Sequence, residues 1–160
     1  MKFRLPYSIV ILLISILFFL GCKTKINQVK NNLPEGKWVM IDTLEHLNVY
    51  ITKGKYRNDK EIGNWKYIYN GKLDRKEKYK NGQCLTKFYY PNGKLMKKGY
   101  TQFEDNVKEA HWFYTGDWNY FNENGQLVSI KTFDKGKMLQ TLHLTDSITG
   151  KEIAPYVITN

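Results

Sequence analysis

The sequence predicts an all-β fold, an extended antiparallel meander of repeated β-hairpins that forms a single-layer sheet. Trp65, Tyr67 and Tyr69 are spaced two residues apart, which places their rings on one face of a strand. Asn70-Gly71 follows them, and this pair accepts the positive φ angles of a tight hairpin turn. Similar successions recur along the chain, and the aromatic content of 15% adds to the preference for strands.

Residues 1–21 have the layout of a signal peptide. Basic residues precede an apolar run from Tyr7 to Leu20, which is shorter than the about 20 residues of a membrane-spanning helix. Phe19-Leu20-Gly21-Cys22 resembles the lipobox of bacterial lipoproteins, whose cysteine receives lipid and becomes the new N-terminus. The resemblance implies a palmitate-bearing lipid anchor at Cys22. The alternative is an ordinary secretory signal with a cysteine nearby by chance.

Residues 22–35 are expected to form a basic tether, because they are polar and show no sustained apolar period. Lys23, Lys25 and Lys30 would each gain about 1 kcal/mol near an anionic leaflet. Neither an acidic cluster nor an aspartate follows Cys22. In the lipoproteins that this chain resembles, that pattern implies a cell-envelope location on the outer membrane, facing the periplasm.

Residues 36–160 are predicted to form the β-hairpin repeat domain, with a repeat core at about 54–139. Gly36-Lys37-Trp38 opens a first strand in the same way that Gly63-Asn64-Trp65 opens a later one. Residues 47–52 are expected to form another short strand. Residues 54–59 are expected to lead from a strand end into a turn.

The repeat is visible as three copies of one short motif. Gly71-Lys72-Leu73 recurs as Gly93-Lys94-Leu95 and again as Gly125-Gln126-Leu127. Upstream of these motifs, residues 65–68 align with residues 118–121, whereas the middle copy at residues 86–89 keeps two aromatics and has no tryptophan. Turns are predicted at Asn81-Gly82, Tyr90-Pro91-Asn92-Gly93 and Lys135-Gly136.

An insertion interrupts the repeat between Tyr100 and Gly116, and its residues 102–106 include the chain's densest acidic stretch. After Met138 the repeat fades, and residues 139–144 and 151–158 are predicted to form a last hairpin. Pro155 would lie on its edge strand, where proline is tolerated.

This set of residues resembles the variant form of MORN repeats (membrane occupation and recognition nexus). The family pattern is Gly-x-Trp-x-Tyr-Tyr, then Asn-Gly-Lys-Leu, then Tyr-x-Asn-Gly. The resemblance implies a meander of hairpins in which an opening glycine leaves room for a neighbouring aromatic ring. It also implies one possible role, because similar sequences are often labelled as antitoxin components.

The motifs of common catalytic and metal sites are missing from the sequence, so no enzyme, cofactor or metal is predicted. The three histidines form no His-x-x-His spacing. Glu109 and His111 could form an acid/base pair on one strand face, although a surface ion pair is the simpler interpretation. Cys84 is expected to be a small buried hydrophobe rather than a reactive thiol.

The formal net charge of +10 makes anionic lipid, nucleic acid and cell-wall polymer candidate partners. The simpler interpretation is that single lysines along the strands serve solubility and protect edges. Nucleic acid is set aside, because an exported chain rarely meets it.

Two functions remain open from the sequence. The first is a lipid-anchored, non-catalytic binding or scaffolding module for a protein or an envelope polymer. The second is an antitoxin or immunity-like protein, with residues 104–109 as its specificity loop. The aromatic stripe could be a binding surface or the thin core of the sheet. The candidate binding residues are Tyr69, Tyr90, Glu104, Asp105, Glu109 and His111.

Overall fold

The computed structural model describes residues 25–43, 47–104, 111–144 and 151. They form one antiparallel sheet in which the order of the ten strands is the order of the chain. The predicted all-β meander is therefore confirmed. The strands are β1 (Gln28–Lys30), β2 (Leu33–Thr43), β3 (Val49–Arg57), β4 (Lys60–Tyr69), β5 (Lys72–Lys80), β6 (Gln83–Tyr89), β7 (Leu95–Glu104), β8 (His111–Phe121), β9 (Leu127–Asp134) and β10 (Lys137–His143).

The sheet begins earlier in the chain than the sequence indicated. Gln28–Lys30 lies within the predicted tether, yet it forms β1 and pairs with the start of β2. Asn31 and Asn32 connect the two strands with φ angles of 52° and 61°. Positive φ at both central residues is typical of a type I′ hairpin turn, and asparagine tolerates this conformation. The Asn31-Asn32 pair is thus a hairpin-turn signal, which the prediction of a tether did not take into account.

Besides Asn31-Asn32, four further tight turns connect strands through two residues that both have positive φ. These pairs are Asn58-Asp59, Asn70-Gly71, Asn81-Gly82 and Lys135-Gly136. The turn at residues 90–94 differs, because its positive φ falls on Gly93 and not on Asn92. There the Gly93 amide donates to the Tyr90 carbonyl at 2.8 Å, and Tyr90 N donates to the Lys94 carbonyl at 2.8 Å. The predicted turn positions are thus confirmed.

The opening glycines and the glycines beneath the rings are different residues. Gly36, Gly63 and Gly116 each precede a tryptophan by two residues and have φ angles of 77°, 66° and 65°, with open space where a Cβ would be. The rings instead cover Gly54 and Gly99, one strand away. The expectation that an opening glycine makes room for a ring is therefore wrong. Gly63 and Gly116 instead lie at register shifts, where a positive φ suits the backbone of a bulge.

The two faces of the sheet have opposite chemistry, because side chains alternate along each strand. One, here called the aromatic face, carries the rings of Tyr56, Trp65, Tyr67, Tyr79, Phe88, Tyr114 and Trp118, which contact one another or their neighbours across strands. The other, here called the lysine face, carries a row of directly opposed lysines, Lys53, Lys66, Lys76, Lys87 and Lys98.

The described part of the predicted last hairpin is β10, which pairs with β9. The returning strand predicted at residues 151–158, with Pro155, lies outside the described residues except for Lys151. No helix among the described residues is long and apolar enough to cross a membrane.

Candidate functional site

The two central tryptophans of the aromatic face belong to the core. Trp65 and Trp118 are both 0% exposed. A Cβ built on Gly54 would lie 2.0 Å from the Trp65 ring, and one on Gly99 would lie 2.3 Å from the Trp118 ring. Each indole therefore lies directly on bare glycine backbone. The aromatic stripe was considered either as a binding surface or as the core of the sheet, and these two tryptophans belong to the core.

A polar network lies beside Trp65 on the aromatic face and is centred on buried Glu77. The hydroxyls of Tyr67 and Tyr79 donate to Glu77 Oε2 at 2.7 and 2.9 Å. Arg75 Nε lies 3.4 Å from Glu77 Oε1, and its guanidinium lies over the Tyr67 ring at 3.8 Å. Burial is the main cause that raises the pKa of the Tyr67 phenol, and the contacts with Glu77 come next. Burial is also the main cause that raises the pKa of Tyr79, followed by the charge of Glu77. Both phenols therefore remain protonated donors.

This network supports the fold and does not present a reactive group. Because the carboxylate accepts two phenol hydrogen bonds and faces a guanidinium, its charge is compensated within the sheet. Glu61 lies near the same network, and burial raises its pKa. In the described residues no group of three or more His, Cys, Asp or Glu side chains could hold a metal ion.

An exposed aromatic cluster lies at the end of the aromatic face where β7 stops and β8 begins. Phe103 and Trp112 are directly opposed across these strands, with ring centroids 5.3 Å apart. The Trp112 ring also meets Tyr79 edge-on at 5.7 Å. Phe103 is 47% exposed and Trp112 is 45% exposed. These three residues are called the exposed cluster below.

Sequence reasoning missed the exposed cluster, although a signal for it was present. Phe103 and Trp112 both lie within the insertion between Tyr100 and Gly116, and neither occupies a position of the repeat pattern. The contact with Tyr79 joins β5 to β8, which are separated by two strands. That contact depends on how the sheet coils, and residue spacing does not reveal it.

The predicted tyrosines lie at the opposite end of the strands from the insertion. Tyr69 is 41% exposed, and its ring centroid lies 6.4 Å from that of Tyr50. Tyr90 is half-buried, and its hydroxyl donates to the Phe121 carbonyl at 2.8 Å. Burial raises the pKa of Tyr90. Tyr90 therefore links two turns, whereas Tyr69 keeps an exposed ring.

The described residues of the predicted acidic site are Glu104 and His111, which are paired across β7 and β8. Glu104 Oε1 accepts from Lys135 Nζ at 3.2 Å. The exposed His111 ring lies 5.9 Å from that of Phe113. Asp105 and Glu109 lie outside the described residues, so the proposed pairing of Glu109 with His111 stays a prediction.

Two cysteine predictions have different outcomes. Cys84 is 1% exposed, and its Sγ lies 3.5 Å from the Thr86 hydroxyl. Burial raises the pKa of the thiol, which disfavours the reactive thiolate. The prediction of a small buried residue is thus confirmed. Cys22 lies outside the described residues, and its lipidation stays a prediction.

No family model, no curated protein and no solved structure matches the chain.

Proposed function

We propose that this protein is a lipid-anchored, non-catalytic binding module of the cell envelope that contacts a partner protein through the exposed cluster. The observation that carries the proposal is that Phe103 and Trp112 stay about half exposed while packing against each other. Aromatic side chains that are held rigidly at a surface are typical centres of protein interfaces.

The position of the cluster supports the same role. Phe103 and Trp112 bracket residues 105–110, the part of the chain that departs most from the repeat. In repeat proteins such insertions commonly lie on the binding face. For a partner that covers the cluster, the aromatic pair would supply affinity, and the predicted specificity loop at residues 104–109 is its neighbour in the sequence.

The proposed anchor at Cys22 would keep the sheet close to the membrane. Gln28, the first residue of β1, follows Cys22 closely, and extended chain of that length spans at most about 20 Å. Because β1 pairs with β2, less of the predicted tether remains to separate the sheet from the lipid. This arrangement suits a module that acts on envelope components beside the anchor.

The binding proposal is tested with full-length protein crosslinked in cells and recovered from the envelope. The partner found with the wild type is purified, and its affinity is measured for the wild type and for Phe103→Ala/Trp112→Ala. Truncating two hot-spot rings is expected to weaken binding by at least about 30-fold. Leu139→Ala/Leu142→Ala is the matched control, because these β10 side chains are 59% and 51% exposed.

Equal affinity of both double variants for the recovered partner would contradict the role of the exposed cluster. Far-ultraviolet circular dichroism of each variant separates loss of binding from loss of the sheet. A wild type that recovers no partner above the level of an unrelated lipoprotein would contradict the proposal as a whole.

The anchor is tested separately by labelling cells with palmitate and expressing the Cys22→Ala variant. We expect label and membrane association in the wild type and loss of both in the variant. Label that persists in the variant would exclude Cys22 as the lipidated residue.

The antitoxin alternative stays a prediction, since its proposed specificity loop lies mostly outside the described residues. Its test is genetic: a toxin encoded by a neighbouring gene should kill cells only when this gene is absent. That outcome would make the toxin the first protein to be tested for binding to the exposed cluster.

A further inference from the structure

The lysine row is a product of strand register. Lys53 is directly opposite Lys66, Lys66 is opposite Lys76, Lys76 is opposite Lys87 and Lys87 is opposite Lys98. Neighbouring strands lie about 4.8 Å apart, so five cations follow one another over about 19 Å. Like charges directly opposite one another destabilise a sheet. The lysine row therefore destabilises the sheet, and strand pairing alone would not require lysine at these five positions.

Nearby acidic side chains do not neutralise the row. Neither of the two ion pairs between described residues includes a row lysine. Asp74 precedes Lys76 by two residues, but it is the extra residue of a bulge, and its Oδ2 accepts from the Tyr50 hydroxyl at 3.3 Å. Lys76 and Lys98 make cation–π contacts with Tyr89 and Phe121, which leave their positive charge in place.

A shallow pocket of about 290 Å³ opens in the middle of the row. Its lining includes Lys66, Lys76 and Lys87 of the row and a fourth lysine, Lys78, together with Asn64 and Leu85. Glu77 also borders the pocket, but its carboxylate accepts hydrogen bonds from phenols of the aromatic face. Four lysine side chains thus line a space that could hold a phosphate group with part of its chain.

We propose that the lysine row and its pocket bind a linear polymer that carries phosphate groups in its backbone, lying across the strands from β3 to β7. The complementarity is between a line of positive charges and a line of negative ones, with the pocket as the deepest point of contact. This surface is on the opposite side of the sheet from the exposed cluster and does not depend on the proposed partner protein.

The geometry favours a flexible polymer over a membrane surface. Strands in a sheet rotate by about 20 to 25° per step, so the normal to the lysine face turns by about 80 to 100° over the four steps of the row. Lys53 and Lys98 consequently project in different directions, and one plane cannot contact all five lysines. A flexible chain can follow the turning row.

The surroundings of the row favour a polymer without bases. Proteins that bind single-stranded nucleic acid combine a basic groove with aromatic rings on which successive bases stack. The row contains no ring, and Tyr89 and Phe121 already lie under lysine ammonium groups. Tyr100, 45% exposed, is one ring beside the row and cannot hold a succession of bases.

The test measures binding of full-length protein in non-ionic detergent to linear inorganic polyphosphate at several salt concentrations. In Lys66→Gln/Lys76→Gln/Lys87→Gln, we expect affinity to fall about 100-fold, at roughly fivefold for each lysine. The slope of log affinity against log salt should become shallower by about 2, since each lost contact removes about 0.7.

Two variants make this result specific. Lys60→Gln/Lys80→Gln/Lys137→Gln removes the same charge from exposed lysines at strand ends, and we expect it to retain most of the affinity. Lys66→Arg/Lys76→Arg/Lys87→Arg keeps the charge and should bind like the wild type. Circular dichroism confirms that each variant retains its strands.

Three results would overturn the proposal. One is an equal loss of affinity in the strand-end variant, which would reduce the effect to net charge. Another is binding of oligothymidylate as tightly as polyphosphate of equal charge, with the same dependence on the row. The third is row-dependent binding of phosphatidylcholine vesicles that contain phosphatidylglycerol, which would identify the row as a membrane-binding surface.

Discussion

The aromatic face and the lysine face belong to the same strands, yet they act on stability in opposite directions. A buried aromatic ring removes about 150 to 250 Å² from water, which stabilises a fold by about 4 to 6 kcal/mol at 25 cal/mol per Å². A directly opposed pair of like charges costs only about 0.2 to 1 kcal/mol. The stabilisation from ring burial on the aromatic face is therefore larger than the destabilisation from charge repulsion across the lysine row. One face can hold the sheet together while the other carries an unfavourable charge pattern.

The largest expected difference lies within the aromatic face itself, between its buried and exposed tryptophans. Trp118→Ala should lower the free energy of unfolding by about 3 to 5 kcal/mol, because a fully buried ring is lost. Trp112→Ala should cost about 1 kcal/mol, since its ring is nearly half exposed. Urea unfolding followed by circular dichroism measures both, and equal losses would contradict the division into core and exposed cluster.

The contact of Trp118 with Gly99 should appear as a coupling energy. Gly99→Ala places a Cβ inside the Trp118 ring, so we expect a loss of about 1 to 3 kcal/mol. In the Trp118→Ala background the same change should cost less than about 0.5 kcal/mol, because the obstructing ring is gone. A penalty that persists there would show that Gly99 is needed for its backbone and not for the space above it.

On the lysine face, removing a charge should stabilise the protein. Lys87→Gln eliminates two opposed pairs, with Lys76 and Lys98, and should raise the free energy of unfolding by about 0.5 to 1.5 kcal/mol at low salt. The gain should shrink at 1 M salt, where the screening length is about 3 Å. Lys80→Gln, opposite Gln83, is the control and should change little. Destabilisation by Lys87→Gln would mean that the row contributes packing and not repulsion.

The smallest expected effect is a pH dependence from Glu61 on the aromatic face. Burial raises the pKa of Glu61 in the folded protein, so folding favours its protonated form. Stability from this group is therefore present at low pH and falls as pH rises from the unfolded pKa through the folded one. Glu61→Gln should stabilise the protein at pH 7 and lose that advantage at acidic pH. A gain of equal size at both pH values would contradict the assignment.

Local sequence rules predicted the parts of this molecule that depend on neighbouring residues. Period-2 rings and Asn-Gly pairs gave the strands and their turns, because both act within a few residues. The lysine row depends on the register of five strands, which bulges such as the one between Lys53 and Lys55 shift by single residues. The Tyr79–Trp112 contact depends on coiling across four strands. Neither is contained in a local pattern.

The opening glycines show how a correct motif can be given the wrong cause. Gly63-Asn64-Trp65 does mark the start of a repeat, and the ring does need bare backbone beneath it. The glycine that provides this backbone is Gly54, on the preceding strand. The sequence does not show which glycine lies beneath a ring, because this contact forms only after β3 and β4 pair.

The chain-order pairing of the strands has a mechanical consequence. Each strand is hydrogen-bonded only to the strands before and after it, so the described sheet has two free edges, β1 and β10, and no closing contact between them. A force applied to the two ends of the chain would load the outermost ladder first and separate the strands one pair at a time. If the N-terminal side is held at a membrane, the three residues of β1 would detach from β2 first. They would then extend as a short linker before the central strands bear load.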